Sequence, residues 1–235
     1  MDKSWMQKIT MSEAQRKDLE HWCERIGYRR YEQIYKMISD CSPQCLNYET
    51  MSAIARYDFD ISDFLHSTIK FVELNFRSFL SNRFGDTPIT KKEYLYEISE
   101  TLNGSSLKLD CTTYYDKTLK DQTTLAEFLD ASGMETLFRL VLILDDKMLI
   151  EFGPREQLIK DFEMIRRLRN HVAHGQLIVN NPKLNLKEAI VALFRYMPTE
   201  ESKNKRIKIL NDLQRRVLVE EGHLPQNLIS IISVI

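Results

Sequence analysis

An all-α fold is the expectation, and three features of the sequence carry it. Only 7 glycines and 6 prolines occur in 235 residues, too few for the many tight turns of a barrel or sandwich. Leu, Ile, Glu and Lys are plentiful, which favours long helices. Apolar residues also recur three and four positions apart along most of the chain. The length suffices for one large core, so we read an N-terminal helical cap over residues 1–45 and a helical domain over 46–235, together one continuous globular unit.

Ser12-Glu13-Ala14-Gln15 has the form of a capping box, and Leu19, Trp22, Cys23 and Ile26 then share a helical face until Gly27 offers a stop. Tyr31, Ile34, Tyr35 and Ile38 mark a second helix ending near Pro43, and Tyr48 to Tyr57 a short third. From Asp60, the positions Ile61, Leu65, Ile69, Val72, Phe76 and Phe79 describe a core helix closed by Gly85 and Pro88. Periodicity fades between Asn103 and Lys120, where a long mid-chain loop is expected. Leu125, Phe128 and Leu129, then Leu137 to Met148, mark two further helices before Gly153-Pro154. A helix from about Pro154 to His174 follows, then an Asn180-Asn181-Pro182 loop, a Leu186 to Met197 helix and a basic Lys203 to Glu221 helix.

With 43% hydrophobic and 29% charged residues the composition is that of a globular protein, which sets disorder aside. The net charge of -1 means that nucleic acid would have to be held by local basic strips. Four cysteines, Cys23, Cys41, Cys45 and Cys111, form no CxxC pair and are read as free thiols. With no apolar run of signal or membrane-helix length, the cytoplasm is the expected location.

Chemistry concentrates in Arg169-Asn170-His171-Val172-Ala173-His174. Leu158, Phe162, Ile165, Leu168 and Val172 form one stripe at about 100° per residue, and Arg169 falls inside it. A guanidinium keeps its charge and is costly to bury unpaired, so Arg169 should meet an acid or open onto a wet cleft or subunit interface. Arg166, Asn170 and His174 follow at i, i+4 and i+8 beside the stripe, and Gly175 ends the helix. The macrodipole at that end favours an imidazolium and suits His174 to proton transfer.

A base for the ribose 2′-hydroxyl and cations around a pentavalent phosphorane are what metal-independent RNA cleavage needs. Arg169 and His174 lie about 140° apart on an ideal helix, which favours a cleft shared between the protomers of a symmetric dimer. On spacing alone a solvated helix end stays open as an alternative. His171 and His174 lack an adjacent acid or thiol, so neither metal nor cofactor is assigned. Glu73 and Arg77 form either a surface pair or a support in which Glu73 meets Arg169. Lys203, Lys205, Arg206, Lys208, Arg215 and Arg216 form either an RNA-tracking strip or a solvated helix face.

Three blocks carry a family resemblance: Ile26-Gly27-Tyr28-Arg29-Arg30-Tyr31, then Tyr57-Asp58-Phe59-Asp60 through Glu73-Leu74-Asn75-Phe76-Arg77-Ser78, then Ile165 through His174. They resemble, in order, the Tyr-Tyr-Arg-Leu-type segment, the Glu-x3-Arg-Ser helix and the Arg-Asn-x3-His element of Abi-like proteins. These are abortive-infection proteins of the HEPN superfamily of helical ribonucleases. The resemblance spans about residues 10 to 180 and leaves the C-terminal third without a specific match.

That resemblance implies a HEPN-type helical bundle acting as a homodimer in phage defence or growth arrest, cleaving single-stranded RNA without a metal. It puts Arg169 and His174 at the catalytic positions with Asn170 as polar neighbour, and Glu73 positioning Arg169 across the bundle. Arg166 and His171 would contact RNA, joined by Lys205 and Arg206 if the basic strip read above tracks its backbone, and some relatives act with a bound small non-coding RNA. Gly175-Gln176 stands where toxins paired with nucleotidyltransferase antitoxins have x-Tyr, so control by tyrosine modification is not expected. The competing reading is a non-catalytic RNA-binding component of a ribonucleoprotein.

Overall fold

The computed structural model describes residues 4–86, 88–90, 122–142, 144, 146–221, 224 and 226–233, and these are mostly helical. In chain order the helices are α1 (Glu13–Ile26), α2 (Tyr28–Cys41), α3 (Tyr48–Phe84), α4 (Leu125–Ala131), α5 (Met134–Leu142) and α6 (Asp146–Leu149). They continue with α7 (Arg155–Ala173), α8 (Leu186–Arg195), α9 (Glu200–Gln214) and α10 (Gln226–Ile232). Two three-residue strands, β1 (Pro88–Thr90) and β2 (Gln122–Thr124), pair antiparallel with Ile89 opposite Thr123. The expected loop between Asn103 and Lys120 lies outside the described residues. No described helix is long and apolar enough to cross a membrane.

Two compact units divide the chain: Met1–Ser67 with Leu168–Ile190 and Glu201–Ile235, and Thr68–Arg167 with Val191–Glu200. In the first, the capping box at Ser12 is formed, its hydroxyl accepting the Gln15 N–H and the Gln15 side chain accepting the Ser12 N–H. Leu19 and Cys23 of α1 are buried as expected, together with Ile34 and Ile38 of α2 and Met51, Ile54, Tyr57, Ile61 and Leu65 of α3. Trp22 and Ile26, on the same sequence face of α1, are instead exposed.

The two helices expected on either side of Phe59 are one. No Gly or Pro interrupts Tyr48–Phe84, and Asp58, which could have capped a new helix, is fully buried and takes long-range partners instead. Gly85 closes this helix as expected: its N–H donates to Ser81, and a Cβ there would lie 2.4 Å from the Ser81 carbonyl oxygen. Its own carbonyl accepts the Ala126 N–H at the start of α4.

The second unit has an aromatic core. Phe76 of α3 touches Phe138, Phe152, Phe162 and Tyr196, and Phe138 stacks on Phe162 with centroids 3.8 Å apart. Beside it the buried Asp161 accepts hydrogen bonds from the Tyr196 hydroxyl at 2.7 Å and from Arg195, so its charge is both paired and bonded. The helix expected from Leu137 to Met148 divides into α5 and α6, because Arg155 donates to the Leu142 and Leu144 carbonyls and pairs with Asp146, satisfying the groups a longer helix would use. The basic C-terminal helix likewise stops at Gln214, and a π-helical turn takes over from Arg215 to Glu221.

Candidate functional site

Leu158, Phe162, Ile165 and Leu168 line the buried face of α7, as the wheel requires. Arg169 sits between these directions on the wheel but is exposed, and Val172 is only half-buried. Of the two outcomes left open for Arg169, an acidic partner or an open position, the structure shows the open one: burial along the stripe falls off in the last turn of α7. Solvated in this way, the guanidinium needs no acid to compensate it. Its recorded contact is a long one, 3.5 Å from Nη1 to the Asn170 side-chain oxygen.

The helix then ends in a Schellman motif. Gly175 adopts φ +58, its N–H donates to the Val172 carbonyl at 3.1 Å, and the Gln176 N–H donates to His171 at 3.0 Å. His174 is thereby the last residue before the left-handed glycine, exposed, with its N–H on the Asn170 carbonyl at 3.1 Å. A side chain at 175 would be strained by the backbone angle, although nothing lies within 4 Å of where its Cβ would be. Arg169, Asn170 and His174 thus share the final turns of one helix, two of them exposed and Asn170 half-buried.

Behind them the chain turns inward. Leu177, Ile178 and Val179 are buried, and the Ile178 and Val179 N–H groups both donate to one oxygen of Asp58, at 2.7 and 2.9 Å. The other Asp58 oxygen takes Arg30, itself only 10% exposed. Burial pushes the Asp58 carboxyl above its ordinary value, while Arg30 and the two N–H groups pull against it. Asn180, at φ 51, and an Asn181 side chain that accepts the Lys183 N–H complete the expected turn. Asp58 lies in the second resemblance block, but the resemblance assigns it no role and no link to this loop. The available signal was an acid at the i+4 position from Ile54 and the i−3 position from Ile61, on a face that is otherwise apolar.

Elsewhere the structure gives several expected site residues other work. Glu73 pairs with Arg77 at 3.3 Å, and Arg77 also donates to the Ser132 carbonyl at the end of α4. That leaves Glu73 joined to its helical neighbour, and Arg77 tying two elements of the second unit together. Arg166 and Arg167 converge on Glu163, at 2.9 and 2.8 Å, and their bonds hold that carboxyl below its ordinary value against the upward push of desolvation. Arg206 donates to the Ser67 hydroxyl at 2.7 Å and lies over the Phe64 ring, a half-buried position whose desolvation lowers its pKa. Lys205, one residue earlier, is exposed. Among the described residues no group of three or more His, Cys, Asp or Glu side chains is arranged to hold a metal ion.

No protein-family model, curated protein or solved structure matches this chain. Its candidate chemistry therefore stands on its own geometry. An exposed arginine and an exposed histidine close a single helix, with an amide between them in sequence. Together they offer a fixed cation and a proton carrier to a phosphodiester.

Proposed function

We propose that the chain is a metal-independent endoribonuclease of the HEPN type that cleaves single-stranded RNA, in the Abi-like manner of phage defence or growth arrest. The observation that carries this reading is the joint presentation of Arg169, Asn170 and His174 on the last turns of α7, closed by Gly175. Glu163 engages the neighbouring Arg166 and Arg167, whereas Arg169 has no carboxylate partner among the described residues. A guanidinium in that condition can give its fork of donors to a phosphate.

In the proposed reaction the ribose 2′-oxygen attacks the adjacent phosphorus while His174 takes its proton. Arg169 stabilises the charge that grows on the non-bridging oxygens, and Asn170 orients the phosphate or the Arg169 side chain. The P–O5′ bond breaks, the leaving oxygen receives a proton from an imidazolium, and the products are a 2′,3′-cyclic phosphate and a 5′-hydroxyl. A homodimer would supply a second His174 for the acid step, which is why we place the reaction at a two-fold cleft.

Labelled single-stranded RNA incubated in EDTA with wild type, Arg169→Ala and His174→Ala tests this. Cleavage by wild type alone, leaving cyclic phosphate ends, is the expected result. Equal cleavage by all three removes the site assignment. Tight binding without cleavage by wild type would instead make the chain an RNA-holding component. Light scattering that finds only monomer, with and without RNA, would remove the shared cleft.

A further inference from the structure

Trp22 and Ile26 face solvent on α1, where Leu19 and Cys23 are buried, and Phe59 of α3 is 58% exposed. All three line one cavity of about 370 Å³ among α1, α2 and α3. That is the size of a small-ligand pocket, for which roughly 300–1,000 Å³ is usual. Its charged lining residues are Asp18, Arg30 and Arg56. Arg30 is neutralised by Asp58, while Asp18 accepts the Tyr48 hydroxyl through Oδ2, its one partner among the described residues. An ionised carboxylate has about four acceptor sites, so Asp18 keeps capacity for further donors. Arg56, exposed and lining the same cavity, places a cation beside it.

We propose that this cavity binds a nucleobase, guanine in preference to the others, stacked against Trp22 and Phe59 with its donor edge on Asp18. Aromatic faces accept any base, so stacking gives affinity without choice. The carboxylate supplies the choice. Guanine presents N1–H and N2–H side by side, which a carboxylate can accept together, whereas uracil flanks its single N3–H with two carbonyls that a carboxylate repels. Adenine offers one amino group beside an acceptor. Arg56 would meet the phosphate attached to the base. That the base belongs to RNA rests on the ribonuclease reading; a free guanine nucleotide presents the same chemistry.

Trp5 is buried and Trp22 is 43% exposed, so a Trp5→Phe variant of the full chain reports on the cavity through Trp22 fluorescence. Saturable quenching by GMP is expected, with UMP weaker by about tenfold or more, and Asp18→Asn should bring GMP to the level of UMP. Phe59→Ala, at an exposed position that does not threaten folding, should weaken both. An oligouridine carrying a single guanosine separates the sources. Quenching by it as well as by GMP supports a base held within RNA, and quenching by GMP alone supports a free nucleotide. Equal response to UMP and GMP, a GMP response indifferent to Asp18→Asn, or no response to either guanine ligand overturns the proposal. Arg169→Ala should leave GMP quenching unchanged, so failure of the cleavage reading and failure of the pocket register separately.

Discussion

The Asp58 carboxylate accepts the backbone N–H of Ile178 at 2.7 Å, across 120 positions of sequence. The same oxygen holds the Val179 N–H, and Arg30 takes the other, so all three donors meet an acid with no exposure to water. Asp58→Ala should therefore cost about 3–5 kcal/mol, because it leaves a nearly buried guanidinium and two buried N–H groups without an acceptor. Asp58→Asn, which keeps one acceptor oxygen, should cost less. Urea unfolding of the two variants checks the order, and an unchanged midpoint for the alanine variant would remove Asp58 as the anchor of this loop.

Removing the candidate chemistry should not disturb the fold. Arg169 and His174 are exposed, and the cap after α7 is made by backbone groups rather than by either side chain, so replacing them should change stability by no more than about 0.5 kcal/mol. Arg169→Ala and His174→Ala should therefore lose RNA cleavage while melting with wild type. A fall in stability matching the loss of activity would point to a structural part for these side chains.

Alkaline pH should loosen the first unit. Burial pushes the Tyr31 hydroxyl from 10.0 to about 12, so the folded chain keeps its proton where the unfolded chain has released it. The sign follows directly: this contribution is complete below pH 10 and is lost as pH rises toward about 12. A rise of that size corresponds to about 2–3 kcal/mol. Urea midpoints taken below and above that window should fall less steeply for Tyr31→Phe than for wild type. Tyr196, pushed up mainly by burial and then by its bond to Asp161, adds a similar dependence to the second unit.

Lys205 and Arg206 are neighbours with opposite expected phenotypes. Arg206→Ala should lower stability, since its guanidinium is bonded to Ser67 and lies over Phe64. Lys205→Ala should leave stability alone. If the α9 surface follows an RNA backbone, that variant should also reduce the salt slope of RNA binding by about one. Filter binding across a salt series beside thermal melts separates the two, and identical behaviour would contradict the assignment.

Local signals were legible where local chemistry decides. The Ser12 and Gln15 box, the Gly85 and Gly175 stops and the Asn180-Asn181 turn all fall where the sequence puts them, because each is settled within a few residues. Asp58 was not legible. Whether an aspartate caps a helix or turns inward depends on what lies opposite, here Arg30 and a loop far along the chain. For Arg169 the sequence leaves an acidic partner and an open position as alternatives for a related reason, since a wheel gives direction but not how far burial continues along a helix. The partner of Glu73 was open for the same cause: spacing offers Arg77, and only packing can offer anything else. Trp22 and Ile26 share their periodicity with buried neighbours, so nothing in the α1 pattern separates a core face from the wall of a cavity.

The bond between Asp58 and Ile178 also sets a clock. The first unit joins Met1–Ser67 to Leu168–Ile190 and Glu201–Ile235, so it cannot be completed until those later segments have been synthesised. At about 5–20 residues per second, the ribosome needs roughly 6–24 s to add the 120 positions separating this acid from its amide partner. Throughout that interval the nascent N-terminal helices hold an acid whose backbone partners have not yet been made. A chain released before Ile178 would carry the whole of α7, including Arg169, without the amides that seat it.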